Sequence, residues 1–91
     1  IIEGMYVIDA HMAANKVAGI RAALIWNSET AALAREHNDA NVAAVGARQH
    51  TKEEVLELIN IFIGEPFSND ERHVRRIAKI SHFENTGEVH F

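Results

Sequence analysis

The 91 residues suffice for one small domain and are too few for two. With 47% hydrophobic and 24% charged residues the chain reads as globular rather than disordered, and its net charge of −4 argues against a general nucleic-acid binder. The absence of cysteine excludes a disulfide framework, a thiolate metal site and a cysteine nucleophile. The apolar runs are far too short to cross a membrane, and no signal-peptide pattern opens the chain, so a soluble, cytoplasmic protein is expected.

In chain order, Met5 to Ile8 is a candidate strand, and Ala13 to Val17 reads as a short helix closed by Gly19. Ala22 to Trp26 and Val42 to Val45 are brief apolar runs without strict alternation, which suits strands covered on both faces of a parallel sheet. Between them Ser28 can cap a helix through about Glu36. Thr51-Lys52-Glu53-Glu54 has the form of a capping box, with the Thr hydroxyl taking a free backbone N–H and Glu54 reaching back. Behind it Val55, Leu58, Ile59 and Phe62 form one apolar stripe, and Gly64, as a left-handed cap, and Pro66 stop the helix. A second box, Ser68-Asn69-Asp70-Glu71, opens a helix through about Ile80. There Val74, Ile77 and Ile80 face inward and the basic residues lie on another side. Residues 81–91 are polar and read as an arm or a loosely ordered tail. Helices alternating with strands imply an α/β fold with a short parallel sheet of at most three strands and right-handed crossovers.

Four segments carry a specific resemblance. Ala13-Ala14-Asn15-Lys16-Val17-Ala18-Gly19-Ile20-Arg21-Ala22-Ala23-Leu24, Ala34-Arg35-Glu36-His37-Asn38-Asp39-Ala40-Asn41, Gly46-Ala47-Arg48 and Arg72-His73-Val74-Arg75-Arg76-Ile77 resemble, in order and spacing, signatures of the B-type ribose-5-phosphate isomerases and the related galactose-6-phosphate isomerase subunits. Trp26 and the Gln49-His50-Thr51 turn look more like the actinobacterial branch than the enterobacterial one. The resemblance implies a three-layer α/β/α, Rossmann-like fold, incomplete here. It also implies a homodimer with sites at the subunit interface, and the interconversion of ribose 5-phosphate and ribulose 5-phosphate through an enediolate without a metal or other cofactor.

That chemistry needs a group to open the furanose ring, a base beside the substrate carbon, donors for the developing oxyanion and cations for the phosphate. Carried over by position, His37 is the ring-opening acid–base and Asn38 hydrogen-bonds the sugar. Arg48, Arg72 and Arg76 bind the phosphate, the last two from one helix face and partly across the dimer interface. Without the resemblance, His37-Asn38 would read as a helix C-terminus with Asn in a left-handed cap, and the arginines as a solvated helix face. The six histidines include no close helical pair and have no cysteine support, so zinc is not expected.

One departure is large. Before Ala13 the family carries a glycine-rich loop whose N–H groups face the oxyanion, and a catalytic Cys or Glu. Here Met5-Tyr6-Val7-Ile8-Asp9-Ala10-His11-Met12 stands in its place, with Ala10 at the position of the Glu and Gly4 the nearest glycine. Asp9 or His11 offers a titratable group but not the loop backbone. The expected organisation is therefore a lead-in outside the family at 1–11, the C-terminal part of an isomerase domain at 12–80, and a tail at 81–91. The expected function is that of a truncated isomerase subunit without its base loop. The alternative is a non-catalytic module of the same family for phosphosugar binding or dimer assembly.

Overall fold

Val42-Ala43-Ala44-Val45-Gly46 carries no charged side chain, and in the computed structural model it is the central strand of a three-stranded, wholly parallel sheet. The structure describes residues 1–4, 7–46 and 48–89, with the backbone alone for residues 3 and 4. The strands are β1 (Ile2–Gly4), β2 (Ala22–Leu24) and β3 (Val42–Gly46), in the order β1-β3-β2. Ile2 stands opposite Ala44 on one side of β3, and Ala22 and Leu24 stand opposite Val42 and Ala44 on the other. The helices are α1 (Val7–Ala14), α2 (Ser28–Glu36), α3 (Lys52–Gly64) and α4 (Glu71–Thr86).

Side chains alternate across a strand, so β3 sorts its residues between two layers. Ala43 and Val45 join Ile25, Ala31, Ala34, Ala40, Val55, Leu58 and Phe62 in one core beneath α2 and α3. Ala44 is fully buried but outside that core, and Gly46 approaches Val7 of α1 on the opposite face. The result is the expected α/β/α layering, with β3 apolar on both sides because both are covered.

The stretch Ala13-Ala14-Asn15-Lys16 has a local physical use. β2 is an edge strand, and at Ala22 the side chain of Asn15 imitates a neighbouring strand, donating to the carbonyl at 3.0 Å and accepting from the N–H at 2.8 Å. His11 reaches the same carbonyl at 2.9 Å. An open edge is thereby blunted without a further strand.

Several boundaries differ from expectation. Val7 and Ile8, β-branched and read as strand, open α1, while Met5 and Tyr6 lie outside the described residues. The third strand is Ile2–Gly4 instead, and the helix expected at Ala13 to Val17 lies earlier, with only turns after Ala14. Asn27 rather than Ser28 caps α2: its side chain accepts from the Thr30 N–H at 2.8 Å, and the Thr30 hydroxyl returns to the Asn27 N–H at 3.2 Å. The Thr51 and Glu54 box on α3 forms as expected, at 3.1 and 3.0 Å. Gly64 takes no left-handed conformation; α3 stops because Glu65, ahead of Pro66, turns extended.

Before α4 the left-handed Asn69 (φ 57°) delays helix entry, so Asp70 is the cap and Ser68 turns to other partners. α4 also continues six residues past Ile80, since nothing before Gly87, which adopts φ 74°, breaks it. Most of the expected tail is thus helical. Val74 and Ile80 do not face inward but are exposed, Ile77 is half-buried, and His73 is the buried residue of the helix. α4 lies across the amino-terminal edge of the sheet, held at His73 and, further along, by Glu84, which accepts from the Gly19 N–H at 3.0 Å.

Candidate functional site: two half-sites at opposite edges of the sheet

α2 starts beyond the carboxyl end of β2 and runs back, so its last residues emerge at the amino edge of the sheet. His37 is the C-cap, its N–H on the Leu33 carbonyl at 2.9 Å, with its side chain about two-fifths exposed. The left-handed residue of this turn is Asp39 (φ 46°), not Asn38. Asn38 is exposed, and its carbonyl accepts from Arg21 Nε at 3.1 Å. Arg21 and Arg35 then clamp Asp39, at 3.4 and 2.8 Å, and Arg35 also donates to the Ala40 carbonyl at 2.6 Å. A turn so anchored fixes where His37 and Asn38 present their side chains.

His73 completes this end. Its ring lies 4.2 Å from that of His37, centroid to centroid, and its Nδ1 meets Ser68 Oγ at 2.8 Å. Ser68 in turn gives its N–H to the Glu36 carbonyl at 3.0 Å, so the start of α4 is tied to the end of α2. Burial, then the charges of His37 and Arg72, hold the His73 imidazole below its usual range, against an opposing pull from Asp70. At about 100° per residue, Arg72 and Arg76 project within about 40° of one another on one flank of His73. Both are exposed. Arg72 lies 3.8 Å from Asp70, and Arg75 pairs with Glu71 at 3.4 Å, the ion-pair role its position allows. An imidazole beside two guanidinium groups suits an anionic, hydroxyl-rich ligand.

Arg48 does not join them. It follows β3 at the carboxyl edge, exposed, about one strand length (~15 Å) from His37. That edge holds a separate cleft of about 400 Å³ lined by Val7, Ile8, Asp9, Leu24, Ile25, Trp26, Gly46, Gln49 and His50. Open α/β sheets bind ligands outside the carboxyl ends of their strands, where this cleft lies. Asp9 comes to it from α1, and His50 spans its lip, facing the Gly46 carbonyl with Nδ1 at 3.1 Å and the Trp26 carbonyl with Nε2 at 2.8 Å. Those two bonds, the larger from Trp26, raise the His50 pKa; Glu54 adds to them against the cost of burial. Among the described residues no cluster of His, Asp and Glu could hold a metal ion, and no helix is long and apolar enough to cross a membrane.

Of the five residues singled out from sequence, the structure gathers His37, Asn38, Arg72 and Arg76 at one edge and leaves Arg48 at the other. Sequence reasoning missed His73 and His50, whose contacts with His37 and with the Trp26 carbonyl each join residues more than twenty positions apart and leave no local spacing to read.

Fold and site together define a Rossmann-like α/β domain, with helices on both faces of a parallel sheet. The chain belongs to the Ribose/Galactose Isomerase family, which it matches over residues 1–80, the first strand included. It is 48% identical over 78 residues to ribose-5-phosphate isomerase B of Mycobacterium tuberculosis, covering 86% of this chain and 48% of that protein. The type B ribose 5-phosphate isomerase of Trypanosoma cruzi superposes with a TM-score of 0.89 at 45% identity, over 94% of this chain and 56% of the other. Ribose-5-phosphate isomerase B of Mycoplasma genitalium, solved with bound ribulose-5-phosphate, gives 0.85 at 41% identity, over 91% and 53%. The chain thus spans about half the length of the curated relatives it matches.

Proposed function

We propose that this chain is a sugar-phosphate-handling subunit of the ribose-5-phosphate isomerase B type. Its amino-edge residues serve the carboxyl-edge cleft of a second copy. In the complete enzyme a proton moves between C1 and C2 of the open-chain sugar through an enediolate. In that scheme His37 transfers the proton that opens the furanose ring, Asn38 bonds a sugar hydroxyl, and Arg72 and Arg76 grip the phosphate together with Arg48 of the mate. The observation that carries this reading is the separation of Arg48 from the other four residues by the height of the sheet. No single copy can close such a site, whereas a two-fold pair brings unlike edges together. The α4 face that bears Arg72 and Arg76 also exposes Ile80 and Phe83, which gives the pairing an apolar contribution.

Between Gly4 and Ala13 there is neither Cys nor Glu, and no further glycine to aim backbone N–H groups at an oxyanion. Asp9 stands at the cleft in the first turn of α1, a single carboxylate without a glycine-rich loop beside it. Binding without appreciable turnover is therefore the expected behaviour of this polypeptide.

The test is calorimetry with ribose 5-phosphate alongside a coupled isomerisation assay, repeated on the Arg72→Ala, Arg76→Ala double variant. Binding that weakens at least tenfold in the double variant, with turnover near background, supports the reading. Turnover close to that of an ordinary isomerase would refute the missing-base argument, and binding indifferent to the two arginines would refute the half-site.

A further inference from the structure

His50 sits where one imidazole must answer two acceptors. Nδ1 faces the carbonyl of Gly46, the last residue of β3, at 3.1 Å, and Nε2 faces the carbonyl of Trp26, just beyond β2, at 2.8 Å. A carbonyl oxygen only accepts, and a neutral imidazole owns a single N–H. In the neutral form one of these contacts sets lone pair against lone pair; only the imidazolium satisfies both.

The charged groups around the ring favour that form. Asp9 of α1 lines the cleft on one side of His50, and Glu54 and Glu57 of α3 line the hollow on the other. The Glu54 carboxyl is held low by its bonds with Thr51, so it remains ionised and its charge faces the ring down to acid pH. The cations nearest in sequence, Arg48 on the same turn and Lys52 at the start of α3, are both exposed to solvent. The β2 end contributes no charge. The direction of the His50 shift agrees with this inventory.

We propose that His50 is a charged clasp that joins the carboxyl ends of β2 and β3. Its loss of a proton releases one of them and loosens the lip of the cleft, where Trp26 and Gln49 stand. Gln49 is exposed on the turn before His50, and its amide rests over the Cα of Gly46, a place a side chain would claim. His50 thus acts as a positioning residue for whatever occupies the cleft. This inference stands whether or not that occupant is a phosphorylated sugar.

The experiment is a ligand-free pH titration followed by NMR on the ring nitrogens of His50 and the amide resonances of Gln49, with the fluorescence of the chain's single tryptophan as a second probe. The expected result is protonation of both ring nitrogens at pH 6, a His50 midpoint above 6.5, and movement of the Gln49 and Trp26 signals at that same midpoint. His50→Phe should abolish the shared transition, and His50→Gln, a donor without a titrating group, should flatten it. If His50→Phe fails to fold, the wild-type titration decides alone. A His50 midpoint at or below 6.5, a single-N–H tautomer at pH 6, or Gln49 and Trp26 signals indifferent to the titration would each overturn the clasp.

Discussion

The imidazole of His73 lies against that of His37, with centroids 4.2 Å apart and planes inclined by 31°, and this contact joins the start of α4 to the end of α2. Two imidazoles in contact cannot both be charged without repulsion, and His73 is the buried partner. The contact therefore bears on protonation as well as position, and together with burial it favours a neutral His73.

An acid limb in stability follows. The folded state holds His73 below its ordinary pKa, so between that lowered value and about 6.5 the unfolded chain binds more protons. The contribution is fully present above about 6.5 and is lost as pH falls through the folded value. Thermal melts from pH 7.5 down to 5 should show a falling midpoint, and His73→Phe should flatten that limb. A midpoint just as steep in the variant would show that other groups carry the acid sensitivity.

His50 has the opposite sign. Its folded pKa is raised, so its contribution is complete below about 6.5 and disappears as pH rises through the folded value. Melts between pH 6 and 8.5 should decline on the alkaline side, and His50→Gln should remove the decline while leaving the acid limb in place. The two histidines together predict a narrow stability maximum near neutrality, which each variant broadens on one side only.

How far the sequence reaches depends on whether a feature is local. The α3 capping box is written in four successive residues from Thr51 and forms as read. The apolar run at Val42 to Val45 likewise announces a strand covered on both faces. β1 is too short and too polar, with Glu3 at its centre, to stand out; pairing with β3 makes it a strand. Val7 and Ile8 have strand propensity but lie where the chain must cross over the sheet, and tertiary position overrides propensity there. The facing of α4 is not legible in the same way, since its period suggests an inward apolar face while its only buried side chain is a histidine. The candidate site was legible through family motifs alone: His37 and the arginines carry it, whereas the His73 contact that orients them is visible only in three dimensions.

The choice of cap on α2 makes a discriminating test. Asn27→Ala removes the bond to the Thr30 N–H and should cost about 1 kcal/mol, with Thr51→Ala similar on α3. Ser28→Ala, one residue later, should stay within about 0.5 kcal/mol, as expected of a surface change that removes no cap. Urea midpoints at pH 7 separate the three. A larger loss at Ser28 than at Asn27 would move the cap back to the residue that sequence alone favours.

Phe62 tests whether the core under α2 and α3 holds the half-sites in register. Its ring is 7% exposed within the cluster formed with Leu58, Val55 and Ile25, and the Arg35 guanidinium lies 5.9 Å above it. Arg35 also fixes the turn after His37 through Asp39 and the Ala40 carbonyl, so the ring supports the amino-edge residues at one remove. Phe62→Ala should cost about 3–5 kcal/mol from lost burial and the cavity left behind. A domain of this size holds on the order of 5–10 kcal/mol in total, so circular dichroism should report a protein near its unfolding threshold at 37 °C. Phe62→Leu keeps most of the volume and should cost roughly 1 kcal/mol while withdrawing the aromatic face from Arg35. If ribose 5-phosphate binding weakens in Phe62→Leu well beyond what its small loss of stability explains, Arg35 transmits the core's packing to His37; unchanged binding would confine Phe62 to the core.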